Sequence, residues 1–304
     1  MDPLVFVLIA GAAVLHVSWN VLLKTAGDPL LAAAVGLATA AAILSPIALV
    51  AWFAIGRPAI PPETLVLSVV SGALEAIYFG FLAAAYRRGD LSLVYPLARG
   101  SAPLLAVAIG VLVLGERLGL LGFLGVAALI AGILALQRPW RYLRESGREH
   151  GGAAGFALLT GVTIAAYSAV DRVGVRGTEP WIYAALIYAS GTVFLTGYLW
   201  AYRRRGRMSA RGNAIGATEP ATTPFSARRA GIGGLITLLA YLFILTAFTV
   251  APLTAVAPLR ESAIVLASGW GALRLGEADD RADAARRIGA AALVVLGALL
   301  LAFD

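Results

Sequence analysis

Arg99 and Arg260 are the residues of this sequence with the most chemistry to offer. Each lies deep in a long apolar run, Arg99 three residues after Pro96 and Arg260 two after Pro258. A charge at that depth of a membrane costs roughly 2.5 to 3.5 kcal/mol, so such a side chain faces a cavity, a partner or a transport pathway. A proline inside a spanning helix frees a carbonyl and kinks the chain, which is tolerated where the backbone lines a cavity. Two planar guanidinium forks suit one anionic group gripped through paired hydrogen bonds. The other reading makes each arginine the structural partner of a nearby acid, with Glu75 and Glu261 the acids at hand.

Glu75, mid-way along its own apolar run, reads as a carboxylate that carries a coupling proton, as the partner of an ammonium group, or as one end of a fixed ion pair with Arg99. Glu261 follows Arg260 directly and has the same choice between coupling and pairing. His16, Asn20 and Lys24 are spaced i, i+4, i+8 and so share one stripe of a helix. Such a stripe on a spanning helix faces protein or water, which makes His16 and Asn20 either substrate contacts or glue between helices. Tyr78, Tyr95, Tyr167 and Tyr241 offer aromatic walls to the same cavity, or plain packing. Asp171 and Arg172, nearer the end of their run, read as readily as side chains that reach the membrane face as functional ones.

Spanning helices must position these residues. The chain of 304 residues is 60% hydrophobic and 13% charged, with a mean hydropathy of +0.85. A water-soluble domain carries about 25% charged residues, so water is not the main solvent here. Apolar runs of the roughly 20 residues that cross a bilayer recur along the chain. They predict helices near Leu4 to Leu23, Leu30 to Ile55, Thr64 to Tyr86, Leu91 to Leu114 and Leu118 to Leu136. In the second half they predict Gly152 to Val175, Trp181 to Tyr202, Gly231 to Val250, Leu253 to Leu275 and Arg287 to Phe303. The apolar/polar alternation of a membrane barrel is missing. Met1-Asp2-Pro3 lacks the basic start of a signal peptide, so the first run reads as a spanning helix.

The two halves echo each other. Gly11, Ser18 and Gly27 recur as Gly161, Ser168 and Gly177, always 150 positions on. Pro96-Leu, Arg99 and Leu114-Gly115-Glu116 return as Pro258-Leu, Arg260 and Leu275-Gly276-Glu277. Five spans per half is an odd number, so the second half enters the membrane from the opposite side and the repeats are inverted. Duplicated spanning segments mark secondary transporters, whose substrate site lies between the repeats near mid-bilayer. The expected fold is all-α and membrane-integral, with residues 1–137 as one five-helix repeat, 138–151 as a basic cytoplasmic linker and 152–304 as the second repeat. Arg203 to Arg229 reads as a second long loop, mobile and rich in Arg, Gly, Thr and Pro. Of the 24 Lys and Arg, 18 fall on the side of these two long loops and four on the other. Cytoplasmic loops carry that excess, which sets both termini outside the cytoplasm.

The net charge of +7 belongs to these short loops, where topology explains it better than nucleic-acid binding. Cysteine is absent, which excludes disulfides and thiolate metal sites. No nucleophile elbow, HExxH or P-loop is present, and no cofactor or metal is expected. Asp279-Asp280-Arg281-Ala282-Asp283 fits the DDxxD pattern of magnesium-dependent prenyltransferases. A single copy fits equally well as acids at the start of a helix.

The residues His16-Val-Ser-Trp-Asn20, the stretch Gly89 to Pro103, Ala257-Pro-Leu-Arg-Glu261 and the Leu-Gly-Glu endings at Glu116 and Glu277 resemble the EamA-type transporters of the drug/metabolite transporter superfamily. The resemblance implies ten transmembrane helices in two inverted repeats around a central cavity. It also implies transport of amino acids, metabolites, drugs or other small organics. The charged Arg99, Arg260 and Glu261 depart from what an apolar drug would need. The function expected is therefore secondary transport of a small anionic or zwitterionic, amino-acid-like metabolite by alternating access, by exchange or with proton coupling. A membrane enzyme acting on a lipid pyrophosphate, or a lipid-linked sugar flippase of the same superfamily, is the alternative. The partners expected are a small-molecule substrate and the lipid bilayer, with the chain a monomer or weak homodimer in a bacterial inner (plasma) membrane.

Overall fold

Proline starts four of the helices, at the position where the missing N–H is one that a helix leaves unpaired anyway. The computed structural model describes residues 2–24, 28–86, 88, 91–138, 140, 151–212, 225–270 and 280–304. Among these the chain forms ten long helices and no strand. They are α1 (Pro3–Lys24), α2 (Pro29–Ala54), α3 (Pro62–Tyr86), α4 (Leu91–Leu112), α5 (Leu120–Gln137), α6 (Gly151–Gly174), α7 (Pro180–Gly212), α8 (Ala227–Val250), α9 (Leu253–Trp270) and α10 (Arg281–Ala302). A 3-10 turn, Val175–Gly177, follows α6. The Asp28 carboxylate caps α2 by accepting the N–H groups of Leu30 at 3.1 Å and Leu31 at 3.0 Å. Ser226 caps α8 and Asp280 caps α10 in the same manner.

Three boundaries differ from the expected ones. Residues Arg203 to Gly212, read as loop, continue α7 to 33 residues. At 1.5 Å per residue that is about 50 Å, well beyond the roughly 30 Å of a bilayer core, so the arginine-rich end of α7 projects past the apolar layer. Helix α8 begins at Ala227 rather than Gly231, and α10 at Arg281 rather than Arg287, because Ser226 and Asp280 provide the caps. The expected continuation of α9 from residue 271 to Leu275 lies outside the described residues.

Among the described residues six helices, α2, α3, α6, α7, α8 and α10, are long and apolar enough to cross a membrane. Helices α1, α4 and α5 carry shorter apolar stretches, Pro3–His16, Leu97–Leu112 and Leu120–Leu136. Large apolar side chains such as Val7, Val50, Leu112 and Val193 stand exposed on the outside of the bundle, the surface that lipid would cover.

Helix α1 packs on α8 and α3 on α6, while α2 and α3 each pack on α7, α2 on α8, α4 on α6 and α9, and α5 on α10. Exchanging the halves turns the α1–α8 contact into the α6–α3 contact, and α2–α8 into α7–α3. Two glycine seams occupy the last pair. A Cβ on Gly36 of α2 would stand 3.2 Å from Gly234 Cα of α8, and one on Gly72 of α3 would stand 2.6 Å from the Gly191 nitrogen of α7. Only hydrogen in place of a side chain lets these backbones meet, and close backbone approach is how helices gain dispersion energy in lipid.

Candidate functional site

The helix crossings leave a central cavity of about 70 Å³, walled by α1 to α4 of the first half and α6 to α9 of the second. At about 30 Å³ per water it holds one or two waters, whereas sites for small organic molecules run to roughly 300 Å³ and more. A metabolite can enter only if the helices part.

Arg99 and Arg260 come together in its wall. Arg99 Nη1 donates to Glu261 Oε1 at 2.9 Å, and Arg260 Nε lies 3.2 Å from the same oxygen. The side chains are 7%, 10% and 2% exposed for Arg99, Arg260 and Glu261. Two guanidinium groups thus share one carboxylate in the wall of a cavity that Glu75 also lines. Each arginine also turns to the first helix of its own half. Arg99 touches His16 Nε2 of α1, and Arg260 Nη1 donates to Ser168 Oγ of α6 at 3.5 Å. His16 Nδ1 accepts the Trp19 indole N–H at 3.0 Å, which holds the ring against the cavity.

Glu261 therefore takes the ion-pair role for both arginines. Glu75 does not pair with Arg99: among the described residues it has no ion pair and no hydrogen bond, and its carboxyl lines the cavity at 9% exposure. Tyr78, Tyr167, Tyr188 and Tyr241 line the cavity with it. Their rings meet in a chain, Tyr78 to Tyr167 and Tyr167 to Tyr241 at 6.2 Å between centroids and Tyr241 to Tyr188 at 6.5 Å. The side chains of Asn20 and Tyr95, both expected at the site, lie outside the described ones.

Asp171 reaches no membrane face. It is fully buried, with Tyr183 donating its hydroxyl to Oδ1 at 3.2 Å and the Tyr241 hydroxyl bonded to Oδ2. Arg172 is likewise engaged, donating to the Phe248 carbonyl at 2.9 Å and lying 3.4 Å from Glu116 Oε1. Glu116, the acid of the first Leu-Gly-Glu, caps α9 by accepting the N–H groups of Leu253 at 2.7 Å and Thr254 at 2.9 Å. Its repeat partner Glu277 lies outside the described residues. The acids after Asp279 have local duties: Asp280 accepts from Asp283 N–H at 2.7 Å, and Asp283 pairs with Arg286 and Arg287. Asp279 itself lies outside the described residues, and the described ones contain no group of three His, Asp or Glu side chains able to hold a metal.

Comparison with known proteins adds a likeness over the first half of the chain. Residues 4–137 match the EamA-like transporter family. That stretch spans α1 to α5 and carries Arg99, Glu75 and His16. The match covers less than half of the chain; the six long apolar helices among the described residues are what a multi-pass membrane protein requires. A solved structure described only as "Crystal structure of protein" superposes with a TM-score of 0.67 at 18% identity, covering 98% of each chain; the likeness is one of fold. No curated protein sequence matches.

Proposed function

We propose that this EamA-like protein is a secondary transporter that moves a small anionic or zwitterionic, amino-acid-like metabolite by alternating access of two inverted five-helix repeats. The observation that carries the reading is the pair of buried arginines, one from each half, on a single carboxylate in the wall of the small central cavity. The guanidinium groups offer their N–H donors to a substrate carboxylate, which meets donors from both halves and so draws them together. His16 and Tyr241 supply the flanking walls, and Glu75 is the carboxylate that couples movement to a proton. The exchange symmetry of the helix contacts supports the repeat, and duplicated cavities of this kind open to either side by rocking one half against the other.

Flux into proteoliposomes tests this with a panel of labelled carboxylate-bearing metabolites, with and without a pH gradient. One or more of the panel should exchange across the membrane, and neutral or cationic analogues should not. The cavity must open for this, and the α2–α8 seam is one place to arrest it. A Cβ on Gly231 would stand 3.9 Å from Thr39 Cβ, within the 3.5 to 4.5 Å that a disulfide spans. Because the native chain has no cysteine, Thr39→Cys with Gly231→Cys makes one defined pair. Oxidation should stop exchange and a reductant should restore it; full flux in the oxidised protein would mean that this seam does not move.

The arginine distribution supports an orientation with both termini outside the cytoplasm. A reporter fused after Asp304 should read extracytoplasmic and one inserted at Asn213 cytoplasmic. The reverse pair of signals would turn the protein over.

A further inference from the structure

A surface groove of about 780 Å³ runs between α1 of the first half and α8 of the second, with the turn from α6 to α7 at its mouth. Leu8 of α1 and Leu239, Leu242 and Phe243 of α8 line its length. Its α8 wall extends from Leu239 to Thr249, about 15 Å at 1.5 Å per residue and so half of the roughly 30 Å of a bilayer core. The groove is therefore as deep as one leaflet. Thr246 and Thr249 bond their hydroxyls to the carbonyls of Leu242 and Thr246, at 2.8 and 2.7 Å, so neither asks an occupant for a polar partner. Leu239 is 45% exposed, which puts the groove on the outer surface that lipid covers.

The mouth is polar. Arg176 and Glu179 both line it and both are exposed. Among the described residues neither side chain has an ion pair or a hydrogen bond. Arg172, one turn earlier, is taken by Glu116 and the Phe248 carbonyl, so Arg176 is the cation presented to the groove. Trp181 stands beside them, a residue type that settles at the level of lipid headgroups.

We infer that this groove binds one phosphatidylethanolamine, with the lipid phosphate on Arg176, its primary ammonium on Glu179 and an acyl chain along α8. An apolar wall one leaflet deep that opens to the bilayer fits an acyl chain and offers nothing to a water-soluble ligand. The headgroup follows from the charges at the mouth, one of each sign. A guanidinium takes a phosphate through paired N–H donors, and a primary ammonium donates to a carboxylate. Phosphatidylcholine has no N–H to give Glu179, and phosphatidylglycerol brings a phosphate with no cation to answer that acid. The bound lipid touches α1 of the first half and α8 of the second, so it steadies a contact between the halves. This site is separate from the central cavity, and lipid binding is measured without any transported substrate, so it stands or falls apart from the transport reading.

The test uses the purified full chain in detergent, titrated with dioleoyl phosphatidylethanolamine, phosphatidylcholine or phosphatidylglycerol. Native mass spectrometry counts the bound lipid, and melting temperature follows its effect on stability. The wild type should bind one phosphatidylethanolamine about threefold more tightly than either other lipid, the scale of an exposed ion pair, with a saturable rise in melting temperature. Arg176→Gln should weaken binding of all three lipids about fivefold, the worth of one cation near a phosphate. Glu179→Gln should erase the preference for phosphatidylethanolamine over phosphatidylglycerol. That preference is a ratio within one protein, so a change in the variant's own stability does not affect it. Equal binding of the three lipids by the wild type, an undiminished affinity in Arg176→Gln, or a preference that survives in Glu179→Gln would each overturn the site.

Discussion

Glu261→Gln should destabilise this protein more than any other single exchange in the cavity wall. The carboxylate is 2% exposed and is shared by Arg99 and Arg260, so its removal leaves two guanidinium groups facing one another with no anion between them. Breaking a buried pair by deleting one partner costs about 3 to 5 kcal/mol, because the charge left behind is neither hydrated nor paired. Water in the small cavity next to the cluster relieves part of this, which places the expected loss near the lower end, about 3 kcal/mol. The double variant Glu261→Gln with Arg260→Gln removes one of the two repelling charges. It should be more stable than Glu261→Gln alone, the non-additivity expected of side chains that share a partner. Thermal or denaturant unfolding of the two variants in the same detergent checks this, and a double variant that loses the sum of its singles would mean that the three groups do not act as a unit.

Much of the architecture can be read from the chain. Long apolar runs, their punctuation by Pro and Gly, and the recurrence of Pro-Leu and Arg at matching places in the two halves locate the helices and single out Arg99 and Arg260. What joins those arginines is harder to see. Arg260 and Glu261 are neighbours in sequence, and adjacent residues do not face each other on a helix, so nothing local says that the arginine stem bends back to the next carboxylate. Asp171 looked like a residue near a membrane face because it sits close to the end of its run. It is buried because Tyr183 and Tyr241, 12 and 70 residues further on, bring hydroxyls to both of its oxygens. The only sequence signal was the acid itself in an apolar stretch. Glu116 belonged to a repeated motif, yet its partners, the first N–H groups of α9, lie 137 and 138 residues away. The tail of α7 was missed for another reason: its arginines and glycines look like loop, but Arg, Met and Ala carry good helix propensity and let the helix run on to Gly212.

The substrate role of the arginines carries the largest expected effect on function. A guanidinium offers two parallel N–H donors to a carboxylate, and an ammonium offers a point charge that cannot reproduce them. Arg99→Lys and Arg260→Lys each keep the charge that balances Glu261 while removing the fork. Loss of one charged hydrogen bond to substrate costs roughly 1.5 to 3 kcal/mol, about tenfold to more than a hundredfold in affinity. The decisive measurement is the affinity of each lysine variant for the transported carboxylate, taken together with its melting temperature. The account predicts binding weakened at least tenfold in both variants, with melting temperatures close to that of the wild type. Unchanged affinity with lowered melting temperature in both would contradict it, and would make the two arginines and Glu261 a structural clasp between the halves.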